Sequence, residues 1–264
     1  MHIGRGLLVL TLVSLVSLTA HADEGMDDYK RGDYDAAFKY FLIKAQLGDA
    51  GAQAKIGYLF EHGKGVIQDY TKAAEWYDKA SQQGLASAQD NLGALYAKGL
   101  GVPRDNARAM SLFQKAAAQG NTDAETDIGV MYYSGNGVTQ DFAQAVSWTR
   151  KAADRGFARA QDQLGYFLLS GPGDTQNPTE AVSWFRKAAE QGYAPAQGDL
   201  GASYDKGRGV PMDATQAVAW FRKAADQGDA NSQFNLGVMY ENGRGVEQDY
   251  SQAAAWFGKA ADQG

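Results

Sequence analysis

Apolar positions in this chain return with two nested rhythms. Within one segment they fall as Ala52, Ile56, Leu59 and Phe60 do, at i, i+4, i+7 and i+8, the spacing of one helical face. A turn follows, Gly63-Lys64-Gly65-Val66-Ile67-Gln68, and then a second stripe, Ala73, Trp76, Tyr77 and Ala80. This predicts a helix A over 50–62 and a helix B over 70–82. The pair recurs with a period of 36 residues, six times from Asp49 to Gly264, without insertion or deletion. The units run 49–84, 85–120, 121–156, 157–192, 193–228 and 229–264. A fixed period of this size marks a solenoid, so the expected class is all-α.

Small residues recur with the same frame. Gly57, Gly93, Gly129, Gly165, Gly201 and Gly237 interrupt helix A, each at a cost of about 1 kcal/mol against alanine. Repetition of that cost implies that another helix presses close there. Ala80, Ala116, Ala152, Ala188, Ala224 and Ala260 are expected to do the same on helix B. Trp76, Trp148, Trp184, Trp220 and Trp256 are expected to supply bulk between units, with Leu112 in the second.

The turns carry their own pattern. Gly63, Gly99, Gly135, Gly171, Gly207 and Gly243 stand where a helix C-terminus favours a left-handed residue. Asp69, Asp105, Asp141, Asn177, Asp213 and Asp249 fall at the N-cap of helix B. Gln144, Glu180, Gln216 and Gln252, three residues on, predict capping boxes. The turns are not phosphate loops: Gly99-Leu100-Gly101-Val102-Pro103-Arg104 lacks the third glycine and follows a helix. The fourth unit is irregular, with Asp174 for the turn valine and Leu168 for the helix-A tyrosine.

Before the first full unit, residues 23–48 read as a truncated helix, a tight turn at Gly32 and a helix with Ala37, Tyr40 and Phe41 on one face. Terminal repeats are atypical because they cap a stack. Earlier still, Arg5, the apolar run Leu7 to Leu18 and Ala20-His21-Ala22 read as a signal peptide over 1–22 with cleavage after Ala22. That run is too short to span a bilayer, and no later stretch is apolar enough to do so. The expected location is therefore exported, periplasmic or secreted.

Asn235-Leu236-Gly237-Val238-Met239-Tyr240, Gly243-Arg244-Gly245-Val246 and Ala219-Trp220-Phe221-Arg222-Lys223-Ala224-Ala225 resemble the Sel-one-like repeat (SLR) family, relatives of the tetratricopeptide repeat. The resemblance covers residues 49–264. The leading unit, with one glycine in a shorter turn, is similar to a tetratricopeptide half-repeat. The family resemblance implies a right-handed α/α superhelix of helix-turn-helix units and protein–protein scaffolding. It implies no reaction.

Composition narrows the chemistry further. The chain has no cysteine, which removes disulfides, thiolate metal sites and a cysteine nucleophile. Its net charge is −6, against the basic stripe that nucleic acid requires. His62 is the one histidine beyond the targeting segment, too few for a zinc site. Ser203-Tyr204-Asp205-Lys206 fits S-x-x-K, but the companion S-D-N and K-T-G elements are missing. Ser203 also fills the slot of Leu59, Leu95, Met131, Phe167 and Met239. A β-lactam-interacting hydrolase, the label of a cysteine-rich branch of the resembled family, is thus the alternative, as is an envelope signalling or assembly adaptor. No catalytic residue, metal or cofactor is expected.

Positions that agree across units serve stacking, and those that vary on one face are free to carry specificity. In tetratricopeptide geometry helix A lines the concave side. The resemblance then implies a partner-binding face of Tyr58, Glu61 and His62, with Gly51 and Ala54 beside them, in the first unit. It continues through Asp90, Lys98, Thr126, Tyr133, Arg159, Asp162, Tyr166, Asp205, Lys206, Phe234 and Glu241. Mixed charge with aromatics suits a protein or peptide. The last unit carries no polar cap, and an apolar edge of Trp256 and Phe257 there would permit self-association.

Overall fold

A computed structural model describes residues 24–172 and 176–263. The expected signal peptide and cleavage site, the turn residue Asp174 and the closing Gly264 lie outside the described residues. Among the described residues there are fourteen helices and no strand. The leading pair is α1 (Glu24–Arg31) and α2 (Tyr34–Gln46). The next two pairs are α3 (Ala50–His62) with α4 (Tyr70–Gln82), and α5 (Ala86–Lys98) with α6 (Asn106–Ala117). Then come α7 (Thr122–Ser134) with α8 (Phe142–Asp154), and α9 (Ala158–Ser170) with α10 (Pro178–Glu190). The last are α11 (Ala194–Lys206) with α12 (Ala214–Asp226), and α13 (Ala230–Asn242) with α14 (Tyr250–Ala261). The helices over 50–62 and 70–82 are those the apolar spacing predicts. Contacts divide the chain into two compact units, one ending at Asn121 and one beginning at Thr122.

Each pair is antiparallel and closes on its helix-A glycine. A Cβ on Gly57 would stand 2.7 Å from the Tyr77 ring, and one on Gly201 would stand 2.8 Å from Phe221. Phe113, Phe185 and Phe257 lie over Gly93, Gly165 and Gly237 in the same way. Only in the α7–α8 pair is the aromatic replaced, by Thr149 over Gly129. The glycines are where a partner helix presses in, as the sequence implies. The ring that does so is the one after the tryptophan, or after Leu112 in the second unit, and Tyr77, Phe113, Phe185 and Phe221 are almost wholly enclosed. Three of the five tryptophans lie further out, while Trp184 and Trp256 are buried. Trp76, Trp148 and Trp220 are half-buried, and each of the five carries the ammonium of the lysine three residues on, from Lys187 over Trp184 at 3.6 Å to Lys79 over Trp76 at 4.0 Å. One helical turn places these pairs face to face, and the ring quadrupole attracts the cation.

A ladder of paired glutamines, one buried and one exposed in each pair, runs beside this core. Gln83 Nε2 donates to Gln53 Oε1, and Gln119, Gln191, Gln227 and Gln263 donate to Gln89, Gln161, Gln197 and Gln233, each at 2.8 Å. Gln53, Gln161, Gln197 and Gln233 in turn donate to a helix-B carbonyl of the preceding pair: Ala45, Ala153, Ala189 and Ala225. Each therefore fastens its own two helices together and ties them to the previous unit. Where the pair α7–α8 departs, Glu125 and Arg155 form an ion pair instead.

The turns confirm the N-caps and correct two expectations. Asp69, Asp105, Asp141, Asn177, Asp213 and Asp249 each accept from a backbone N–H at the start of helix B. The reciprocal half of the capping box is absent as such. The N-cap's own N–H donates to a carbonyl nine residues earlier, Tyr132 for Asp141 and Tyr204 for Asp213. It needs no side chain from Gln144 or Gln216. The second correction is Gly171. It adopts φ −66°, ψ 158°, not the left-handed conformation of Gly63 or Gly207. Pro172 follows it, and a residue before proline is driven to extended backbone.

Candidate functional site

In the unit ending at Asn121, the face expected to bind a partner centres on Tyr58. Its ring stacks on His62 with centroids 4.0 Å apart and meets Tyr29 at 6.2 Å. Tyr29 in turn packs edge-on against Tyr34 at 5.5 Å. Sequence reasoning named Tyr58, Glu61 and His62 but missed the two lysines and two tyrosines around them. Lys64 Nζ lies 3.3 Å from the Tyr58 hydroxyl, 5.2 Å from that ring and 5.0 Å from the Tyr34 ring. Lys55 Nζ lies 4.8 Å from the Tyr29 ring. Burial pushes the Tyr58 phenol upward, but hydrogen bonds from Tyr29 and Lys64 and the two lysine charges outweigh it, and its pKa is lowered. Glu61 is committed elsewhere, accepting from the buried Tyr77 hydroxyl at 2.6 Å. On α5, Lys98 is exposed and Asp90 is buried, so the two do not share an open surface.

In the unit beginning at Thr122, the helix-A faces of α7 and α9 meet. The rings of Tyr133 and Tyr166 are 5.7 Å apart, and Tyr133 stacks on Phe167 at 4.3 Å. Tyr166 is 45% exposed. Thr126 is fully enclosed, and its hydroxyl donates to the Thr122 carbonyl, so it presents nothing to a partner. The Arg159 guanidinium is taken by Asp127 and Asp123 of α7. Asp162 is left with its Oδ1 buried and without a partner. Burial first, and then the charge of Asp199, pushes its carboxyl up to about 8. Asp199 is itself raised to about 6, by burial and by Asp229. Asp205 pairs with Arg244, while Lys206 and Glu241 are exposed.

Phe234 is 55% exposed and leans on Phe257 with centroids 5.4 Å apart. With Ala230, Asn231, Ala260 and Ala261 these rings line an open apolar pocket of about 530 Å³. Trp256, expected at an apolar edge, is instead buried at 9% exposure among Ala217, Val218 and Leu236.

Ser203 is 1% exposed and donates to the Asp199 carbonyl at 2.8 Å. That is a bond within its own helix, with no base attached to the hydroxyl and no open path to a substrate. Among the described residues no group of three histidines or carboxylates could hold a metal ion, and no helix is long and apolar enough to cross a membrane.

The Sel1 repeat model matches seven successive segments, 23–49, 50–85, 86–121, 122–157, 158–193, 194–229 and 230–264. The chain belongs to the Sel1 repeat family. Residues 23–49 are thus matched along with the six full units. Among solved structures, a Sel1 repeat protein from Oxalobacter formigenes is 33% identical with a TM-score of 0.77, covering 90% of this chain and 95% of that one. The protective antigen c5321 of uropathogenic Escherichia coli, described as displaying an SLR fold, is 34% identical with a TM-score of 0.72. That match takes in 98% of this chain and 57% of the antigen. The DAP3-binding cell death enhancer 1 of Rattus norvegicus is 45% identical over 49 residues, 19% of this chain and only 10% of that protein. Sel1 repeat proteins generally mediate protein–protein interaction and are generally non-catalytic.

Proposed function

We propose that this chain is an exported, non-enzymatic scaffold that recognises a protein or peptide through its helix-A faces. The observation that carries the reading is a contrast between helix positions. Gly57, Ile56, Leu59 and their equivalents are spent on the core. Tyr166 and Phe234 instead stand 45% and 55% exposed on helices held rigid by that core. Tyrosine and phenylalanine offer large contact area for little loss of side-chain freedom, which is why aromatics are enriched at interfaces.

The test begins with the full chain as bait for cross-linked partners, each then purified and titrated. Tyr166→Ala and Phe234→Ala should each weaken binding while leaving the helical signal and melting temperature nearly unchanged. A partner that binds both variants at full strength overturns the assignment of the face. Arg159 is unsuited to this test, because its reversal would break the link to Asp123 and Asp127. Export has its own measurement: N-terminal sequencing should find a mature chain beginning at Asp23, and retention of Met1 would refute it.

A further inference from the structure

We infer that the tyrosine–lysine surface formed by α1, the start of α2, α3 and the turn after it takes an acidic peptide segment, whose side-chain carboxylates meet Lys55 and Lys64 while its neighbouring residues lie on Tyr29, Tyr34 and Tyr58. The inference rests on the proposed peptide-binding role and specifies the chemistry of one end of that face.

Charge complementarity selects the occupant. Several basic side chains elsewhere in the chain are matched by carboxylates, as Arg31 is by Asp28, Arg108 by Asp78, Arg150 by Glu180 and Arg244 by Asp205, and five helix-B lysines each lie singly over a tryptophan. Lys55 and Lys64 have no carboxylate within ion-pair distance among the described residues, and Glu61 on the same helix is turned to the Tyr77 hydroxyl. Both ammoniums instead lie against tyrosine rings at 4.8 to 5.2 Å. An ammonium over a ring keeps its full charge and its remaining N–H donors, so it is free to meet an incoming anion. The rings hold the stems of the two lysines in place, which lowers the entropy lost when a carboxylate arrives.

The surface is preorganised as well as charged. Tyr34, Tyr29, Tyr58 and His62, in that order, form a continuous aromatic run, each ring within 6.2 Å of the next. Such a run offers broad apolar contact to a peptide backbone and its side chains. In a protein of net charge −6 this patch works against the overall field. Acidic sequences bound here would therefore be held by local contacts, not by the charge of the molecule as a whole.

The experiment is selection of short random peptides displayed on beads against the full chain, followed by titration of the enriched sequences. Enrichment of glutamate and aspartate beside aromatic or aliphatic residues is expected. Replacing those acids by glutamine should weaken binding about tenfold or more, and so should the Lys55→Gln/Lys64→Gln double variant. Lys64→Arg should retain most of the affinity, and raised salt should reduce it. The lysines lie on the surface, so unchanged melting of the variants separates lost binding from lost folding. Enrichment of neutral or basic sequences, no enrichment at all, or equal binding by the double variant overturns the inference. If peptides are selected that respond to Tyr166→Ala but not to the lysine variants, the helix-A reading survives and this assignment fails alone.

Discussion

Gln197 accepts from Gln227 Nε2 at 2.8 Å and donates its own amide to the Ala189 carbonyl at 3.1 Å. One side chain 5% exposed thus satisfies a polar group in its own pair and another in the pair before it. Gln197→Glu keeps the shape but removes the donor to Ala189, leaving a charge and an unpaired carbonyl in a buried site. The expected loss is about 1–3 kcal/mol at neutral pH, measured by urea unfolding. The α7–α8 pair shows the remedy, since Glu125 there is matched by Arg155. Gln197→Glu/Gln227→Arg should recover part of the loss, and a double variant no better than the single one would show that the slot is not interchangeable.

Gly201 and Phe221 supply a second relationship to test. Alanine at position 201 would gain about 1 kcal/mol of helix propensity, yet its Cβ would fall 2.8 Å from the Phe221 ring. Phe221 is 2% exposed and has no free side on which to retreat. Overpacking of this kind costs about 1–3 kcal/mol, so the net change should be destabilising. Phe221→Leu in the same chain should relieve most of the clash. If Gly201→Ala alone raises the melting temperature, propensity has won and the close approach carries less than the geometry requires.

Much of the fold is legible in the chain because every level repeats. The stripe from Ala52 to Phe60 locates a helix, the N-cap Asp69 begins the next, and the recurrence of Gly57 announces a close approach before any coordinate is known. The glutamine ladder is far harder to see. Gln53 and Gln83 are separated by 30 residues and look locally like any polar helix positions. Only the antiparallel pairing brings them together and encloses Gln53. The surface aromatics are legible in the same partial way. Tyr58, Tyr133 and Tyr166 do lie among other aromatics, but Asp90 and Thr126, on the same helical phase, are buried by neighbouring side chains. Helical phase gives a direction; it does not give the size of what stands in that direction.

Asp162 should make stability depend on pH. Its carboxyl is raised to about 8 in the folded chain, against about 3.9 for an ordinary aspartate. The folded state therefore keeps a proton that the unfolded state has released, and stability at this site falls as pH rises between those values. Asp162→Asn removes the charge and keeps the shape. It should flatten the pH dependence of urea unfolding and stabilise the chain at pH about 8 by roughly 1–3 kcal/mol, with little effect at about pH 4. Equal slopes for the variant and the parent would show that Asp162 finds a compensating partner in solution.

Arg150 responds to the irregular fourth unit. Arg186 and Arg222 each donate to the tyrosine hydroxyl eighteen residues on, Tyr204 and Tyr240. The residue eighteen beyond Arg150 is Leu168, which has no hydroxyl. Arg150 reaches Glu180 instead, at 2.7 Å, and the same carboxylate oxygen accepts from Trp184 Nε1 at 3.1 Å. The Arg150 bond is the largest influence holding the Glu180 carboxyl below its ordinary pKa, and Trp184 adds to it. A lowered folded pKa contributes stability above the unfolded value of about 4.3 and loses it as pH falls below that. Both partners are about a third exposed, so solvent screening limits the contribution to about 0.5–1 kcal/mol. Glu180→Gln should cost that much at pH about 7 and nothing near pH about 3, read by chemical unfolding at each pH. Arg150→Met should cost a similar amount at pH about 7. A variant difference that persists unchanged into acid would assign the effect to the Trp184 contact and not to the ion pair.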